Sequence, residues 1–191
     1  MTGVSLLVAR HGQTADNASG LILGRRDPPL SELGERQAAQ LAAGVRDHGI
    51  VRLWCSPLLR ARQTAAVVAA ELGVEPSVLD DLIESARGEW EGRAQVTLAQ
   101  ASPELFAAFE AGDPDFVFPG GESIRSQVLR TRRALTTVAA APQPSLVVAH
   151  AGTIRAALIA CGRPVPPERA LPNGEAVALD WVLGDRLPDR A

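Results

Sequence analysis

Lysine and tyrosine are missing from this chain altogether, and methionine occurs once in 191 residues. Without lysine there is no amine for a Schiff base and none to complete a P-loop, so both chemistries are excluded. All 19 basic residues are arginine. Cysteine is nearly as scarce, and Cys55 and Cys161 set out neither a disulfide framework nor a zinc site. A large excess of one charge is also lacking. The formal net charge of −3 argues against general binding to nucleic acid or to a membrane surface. No apolar run approaches a membrane span. The N-terminus has no basic segment leading into a long apolar core, so a cytoplasmic location is expected. What remains, 46% apolar and 21% charged residues, is the composition of a globular protein. The length fits one well-cored domain over residues 1–191, with no internal repeat or linker.

The most informative stretch runs from Ser5 to Thr14, SLLVARHGQT. A short apolar run, Leu6 to Ala9, reads as a buried parallel strand and stops at Arg10-His11-Gly12. Ligands of open α/β sheets sit beyond the carboxyl ends of strands, and a histidine there beside an always-charged arginine suits phosphate chemistry. The pattern recurs. Leu146 to Ala149 is a second buried strand, ending at His150-Ala151-Gly152 before the helix TIRAALIACG.

Between them, Gly12 to Leu30 reads as loop. Ser31 caps a helix that ends near His48-Gly49, where His48 is an exposed residue of the last turn. Ile50 to Trp54 is a strand. Ser56 is expected to cap the next helix with Pro57 at its first position, and the helix stops at Gly73. Arg60 then falls in the first turn, where free N–H groups favour anions, while Arg62 is a surface charge. Val78 to Leu82 is a third apolar stretch, followed by Glu84 and a turn at 88–92. A helical patch (Leu98, Leu105, Phe106, Phe109) and the irregular DPDFVFPGGES interrupt the strand–helix alternation and are expected to form a lid. A long helix starts at Glu122 or Ser123 and reaches Ala141, with Ile124, Val128, Leu135 and Val138 on its apolar side. Residues 164–173 are loop, Ala176 to Leu183 is a last strand, and the tail GDRLPDRA is expected to fray.

Four separated segments now agree: ARHGQTADN at 9–17, SPLLRARQTA at 56–65, LIESARGEWEG at 82–92 and VVAHAGTIRA at 147–156. Together, and with PGGES at 119–123, they resemble the histidine phosphatase superfamily, the phosphoglycerate-mutase-like fold. The resemblance implies a three-layer α/β/α sandwich with a mostly parallel central sheet, and a helical and loop insertion, roughly 93–122, over the carboxyl ends of the strands. It implies that His11 attacks phosphorus and carries a phosphohistidine. Arg10, Arg60 and His150 would bind phosphoryl oxygens, with Asn17 and the backbone at Ala151 as further substrate contacts. Glu84 would protonate the leaving oxygen and later activate water. Neither metal nor cofactor is implied, because Arg and His supply the positive charge.

Physical chemistry supports these assignments. Phosphoryl transfer asks a protein mainly for positioning and charge neutralisation, and guanidinium groups offer paired donors. Nearby arginines should keep His11 neutral and nucleophilic. Glu84 must be protonated to act as an acid, and a bound phosphate dianion would raise its pKa in that direction. Two positions depart from the family pattern. Ala151 stands where many relatives have Gly, and Arg87 occupies a place that is often aromatic, which leaves its role and that of 93–122 in specificity open.

A cysteine-based tyrosine phosphatase is excluded, since four residues separate Cys55 from Arg60 and six separate it from Arg62; Cys55 reads as buried and inert. The expected function is a phosphatase acting on a small-molecule phosphomonoester, as a monomer or homodimer. The alternative is a cofactor-dependent phosphoglycerate mutase. Against it, no basic residue lies between Arg93 and Arg125. A more distant alternative is a non-catalytic phosphate-ligand-binding module, which would be expected to have lost His11, Glu84 or an arginine. The substrate itself is not legible.

Overall fold

The computed structural model describes residues 3–182; the tail from Gly184 to Ala191, expected to fray, lies outside them. Five strands, β1 (Gly3–Arg10), β2 (Arg52–Cys55), β3 (Pro76–Val78), β4 (Ser145–Ala149) and β5 (Ala176–Val182), form one sheet in the order β3-β2-β4-β1-β5. The first four run parallel, and β5 closes the edge antiparallel to β1, with Leu6 opposite Leu179. β4 is buried along its whole length, which is why its sequence is continuously apolar rather than alternating.

Alternate side chains of the central strands enter two cores. Leu6, Val8, Val147 and Ala149 pack on one face with α6 (Ile124–Ala140) and α7 (Ala151–Ala160). Ala9, Leu53, Leu146 and Val148 pack on the other with α2 (Glu32–Val45) and α3 (Leu59–Leu72). The result is the three-layer sandwich with a mostly parallel sheet. Ser31 caps α2 as expected, and Ser123 caps α6, which begins at Ile124, just after the expected Glu122 or Ser123; each serine accepts from the backbone N–H three residues on.

Three local expectations are corrected. The third strand is Pro76–Val78, earlier than the apolar run at 78–82, which instead turns through a short 3-10 segment, Asp80–Leu82; Pro76 is tolerated because β3 is an edge strand. Helix α3 starts at Leu59, after Leu58 and not Ser56. Its first free amide, Leu59 N, is satisfied by Asp27 Oδ2 at 2.8 Å, while the Ser56 hydroxyl is drawn away to His150. Helix α7 begins at Ala151, directly after His150, and so two residues earlier than expected.

The stretch around 93–122 contains α4 (Gln95–Ala101) and α5 (Pro103–Ala111). It has a third core of its own, in which Trp90 packs against Phe106, Phe109, Phe116 and Phe118 at centroid distances of 5.5–5.9 Å. Arg155 of α7 ties the end of α5 down by donating to the Phe109 and Glu110 carbonyls. These are packed helices, not a loose flap. The segment also reaches the cavity described below, through Gln95.

Candidate active site

Strands β1, β4 and β2 are neighbours, and each is followed directly by a residue with a polar side chain, His11, His150 and Ser56. The ladder continues one step past the strands, with His11 N donating to Ala149 O and Ser56 N to Val148 O, both at 3.0 Å. His11, His150 and Ser56 are thereby brought side by side. The chain can turn after His11 only because position 12 is Gly: a Cβ there would lie 2.2 Å from the Gly34 carbonyl oxygen at the start of α2. A short helix, α1 (Ala15–Ala18), follows, capped by a reciprocal pair between Thr14 and Asn17.

A cavity of about 260 Å³ opens over these strand ends. Arg10, His11, Asn17, Arg60, Glu84 and Ala151 all stand on its wall. His150 does not. It is fully buried behind His11, with the two rings in an edge-to-face pair 5.2 Å apart.

The hydrogen bonds assign the His11 tautomer. His11 Nδ1 lies 2.7 Å from the Gly12 carbonyl and must donate to it. Nε2 then carries the lone pair, and Arg60 Nε donates to it at 3.1 Å. The His11 pKa is driven well below its ordinary value by burial first, then by the charge of Arg60, the neighbouring His150 and Arg10, against which the Gly12 carbonyl acts only weakly. His150 is held neutral by the same two causes, burial and then Arg60. Its Nε2 pairs with Ser56 Oγ at 2.7 Å. That hydroxyl also accepts from Leu58 N, and the buried His150 Nδ1 has no hydrogen-bond partner among the described residues.

Arg60, 1% exposed, also donates to the Gly24 and Arg26 carbonyls. Burial lowers its pKa to about 10, with Glu84 and Asp27 opposing, so it stays cationic. Arg10 Nη1 donates to Leu171 O at 2.5 Å, and its buried Nε has no hydrogen-bond partner among the described residues. Asn17 Oδ1 is occupied by Thr14.

Glu84 differs from expectation. Oε1 accepts from Ser85 N and Gln127 Nε2, both at 2.8 Å, and Oε2 from Gly152 N at 3.1 Å. Burial pushes the carboxyl up, but Arg87, the Ser85 N–H, Arg60 and the Gly152 N–H outweigh it and bring the pKa to about 2. Without a phosphoryl group in the site Glu84 is therefore a carboxylate, not the acid the chemistry needs. Position 152 is Gly for this reason: a Cβ would fall 2.2 Å from Glu84 Oε1.

Two residues near Glu84 carry more than the sequence reading gave them. Arg87 is buried, and its Nη2 stands 2.6 Å from Glu168 Oε2 and 3.5 Å from Glu84 Oε2. Glu168 had no signal in the sequence beyond being a lone acid in a proline-rich loop. Both line the cavity.

A family model described as the histidine phosphatase superfamily (branch 1) matches residues 6–181. The bifunctional protein Rv2228c of Mycobacterium tuberculosis is 36% identical over 157 residues, a match that covers 81% of this chain but only 43% of that protein. The chain thus spans less than half the length of that relative. The probable phosphoglycerate mutase GpmB of Erwinia tasmaniensis is 33% identical over 172 residues, covering 88% of this chain and 80% of the mutase. Among solved structures, the mycobacterial glucosyl-3-phosphoglycerate phosphatase Rv2419c in complex with VO3 superposes with a TM-score of 0.82 at 29% identity, covering 92% of this chain and 90% of the other.

Proposed function

The chain belongs to the histidine phosphatase superfamily, and from that premise we propose that it hydrolyses small phosphomonoesters through a phosphohistidine on His11. The observation that carries this reading is the orientation of His11. Its Nδ1–H is fixed on the Gly12 carbonyl, so the neutral Nε2 lone pair is presented at the cavity wall between Arg10 and Arg60. Phosphorus entering there takes the place of the Arg60 Nε–H. The guanidinium groups of Arg10 and Arg60 and Asn17 Nδ2, all on the cavity wall, then supply donors to the three equatorial oxygens, with His150 packed behind His11. As the Nε2–P bond forms, the ring becomes an imidazolium whose Nδ1–H remains on Gly12 O. Glu84, 5% exposed, delivers a proton to the leaving oxygen and afterwards accepts one from the attacking water.

Likeness to a named mutase keeps phosphoglycerate transfer as the second reading. The phosphatase reading is supported by the wall that α4 brings to the site, which offers Gln95, with no basic residue anywhere between Arg93 and Arg125.

The test is an acid-quench and alkali-quench experiment on the wild type and His11→Ala during turnover of a panel of phosphomonoesters, with 2,3-bisphosphoglycerate-dependent mutase activity measured alongside. The expected result is alkali-stable, acid-labile phosphate on one histidine of the wild type and none in an inactive His11→Ala. Turnover by His11→Ala, or an acid-stable adduct, would overturn the reading.

A further inference from the structure

Arg87 is 1% exposed, its guanidinium buried at the cavity wall. A guanidinium so placed persists only with compensating partners. It has an unusual set of them. Nη2 lies between Glu168 and Glu84, Nε donates to Ser85 Oγ at 3.3 Å, and the guanidinium carbon sits 5.3 and 5.2 Å from the centroids of Phe109 and Phe118. Glu168, in the 3-10 turn Glu168–Ala170, is itself buried and has Arg155 of α7 4.0 Å away on its far side. Two acids and two arginines are thus locked together between α7, the aromatic core and the cavity.

The other groups around Glu84 point the same way. Arg10 and His11 at the end of β1 and Arg60 on α3 share the cavity wall with it, and the charges of Arg10, Arg60 and, from within α7, Arg155 reach it. From α6 come Gln127, which donates to it, and Arg130, bonded to the Ile83 carbonyl. Among the described residues of the cavity wall, Glu168 is the one other acid. Three N–H donors, Ser85 N, Gln127 Nε2 and Gly152 N, aim at the Glu84 oxygens together with the Ser85 hydroxyl, so Oε2 has only N–H partners and the site is arranged to accommodate a carboxylate.

We infer that Arg87, seated by Glu168, is a positioning residue that keeps Glu84 a carboxylate until substrate arrives, so that the proton needed by the leaving oxygen enters on the phosphoryl group of a substrate monoanion. The balance closes. Neutral His11 attacks ROPO3H⁻, whose proton moves to Glu84 and from it to the leaving oxygen as the P–O bond breaks. The products are ROH and an imidazolium-bound PO3²⁻, with net charge −1 on both sides. Glu84 is left as the carboxylate that the water step requires. This role presupposes the phosphohistidine chemistry proposed above.

The experiment is the pH profile of the phosphorylation step, by single-turnover kcat/KM with an alkyl phosphate. It compares wild type, Glu168→Gln, Arg87→Lys and the paired variant Arg87→Met/Glu168→Gln, which removes the cation without stranding a buried acid. In the wild type the rate constant should fall tenfold per pH unit above about pH 6, where a phosphomonoester loses its second proton. The paired variant releases Glu84 to the effect of burial, and the alkaline limb should move up by about one pH unit or more. Glu168→Gln and Arg87→Lys, which keep a cation beside Glu84, should keep the wild-type limb. A slower paired variant with an unmoved limb would reduce Arg87 to a structural role and overturn the inference. Should that variant not fold, the wild-type Glu84 carboxyl is titrated by ¹³C NMR, assigned with Glu84→Gln; a midpoint at or above the ordinary ~4.3 overturns it equally. The quench experiment keeps the two proposals apart: absence of phosphohistidine fails the chemistry, whereas its presence with an unmoved limb fails only the role of Arg87.

Discussion

At the scale of single residues, the site is a set of groups whose charge state is fixed by what touches them. Glu84 bears most of the consequence, because under the proposed function its work lies in proton transfer and not in binding. General acid catalysis contributes ~10²–10⁴-fold, and only where the leaving group is poor. Glu84→Gln should therefore slow phosphorylation by an alkyl phosphate within that range and by p-nitrophenyl phosphate far less, in burst or single-turnover kinetics. Equal losses would make Glu84 a binding residue. Gly152→Ala is the complementary change. In an ordinary helix it would stabilise by about 1 kcal/mol, but here the new methyl meets the Glu84 carboxylate. Activity toward alkyl phosphates should drop at least as far as in Glu84→Gln, with no gain in Tm. Arg10, His11 and His150 were legible because strand ends announce themselves locally by an apolar run halting at a polar residue. Arg87 showed only as a departure from pattern. Glu168 was not legible, since its partner Arg87 is 81 residues away in the chain and nothing near it in sequence specifies that meeting.

The secondary elements show the same division between local and distant causes. The starts of α2 and α6 were readable because Ser31 and Ser123 bond within their own first turns. The start of α3 was misread because its partner is Asp27, on the loop before α2, and because Ser56 is engaged by His150. Likewise the segment around 93–122 gave weak helical signals, as its apolar residues face a small separate core rather than the sheet. Trp90 is the hub of that core and is 3% exposed. Truncation there removes contacts to four phenylalanines, two of which seat Arg87. Trp90→Ala should cost about 3–5 kcal/mol in urea unfolding. A loss under ~1 kcal/mol would mean that α4 and α5 are not held by this core. The variant should also lose rate on alkyl phosphates, because the Arg87 seat loosens with the rings.

For the molecule as a whole, a site built from buried neutral histidines and a buried carboxylate ties stability to pH. His11 and His150 have folded pKa values well below the ordinary one, through burial and then the charge of Arg60. Below about pH 6.5 the unfolded chain binds protons at both positions that the folded chain refuses, so the unfolding free energy falls as pH falls. The slope is up to ~1.4 kcal/mol per pH unit for each histidine, or about 2.7 for the pair. Glu84 acts in a lower window. Its folded pKa of about 2 contributes stability that is present above the unfolded value near 4.3 and is lost as pH drops from there toward 2. The proposed proton supply by a substrate monoanion favours acid, whereas the folded state resists it, so the proposed activity would be bounded on the alkaline side by chemistry and on the acid side by folding. Equilibrium unfolding between about pH 7.5 and 5 should show stability flat above neutrality and falling steeply below about 6. In His11→Ala the slope should be roughly halved, because one of the two linked protons is gone. A wild-type profile that stays flat across this range would mean that the histidines accept protons in the folded site, and the neutral Nε2 lone pair assigned to His11 would have to be abandoned.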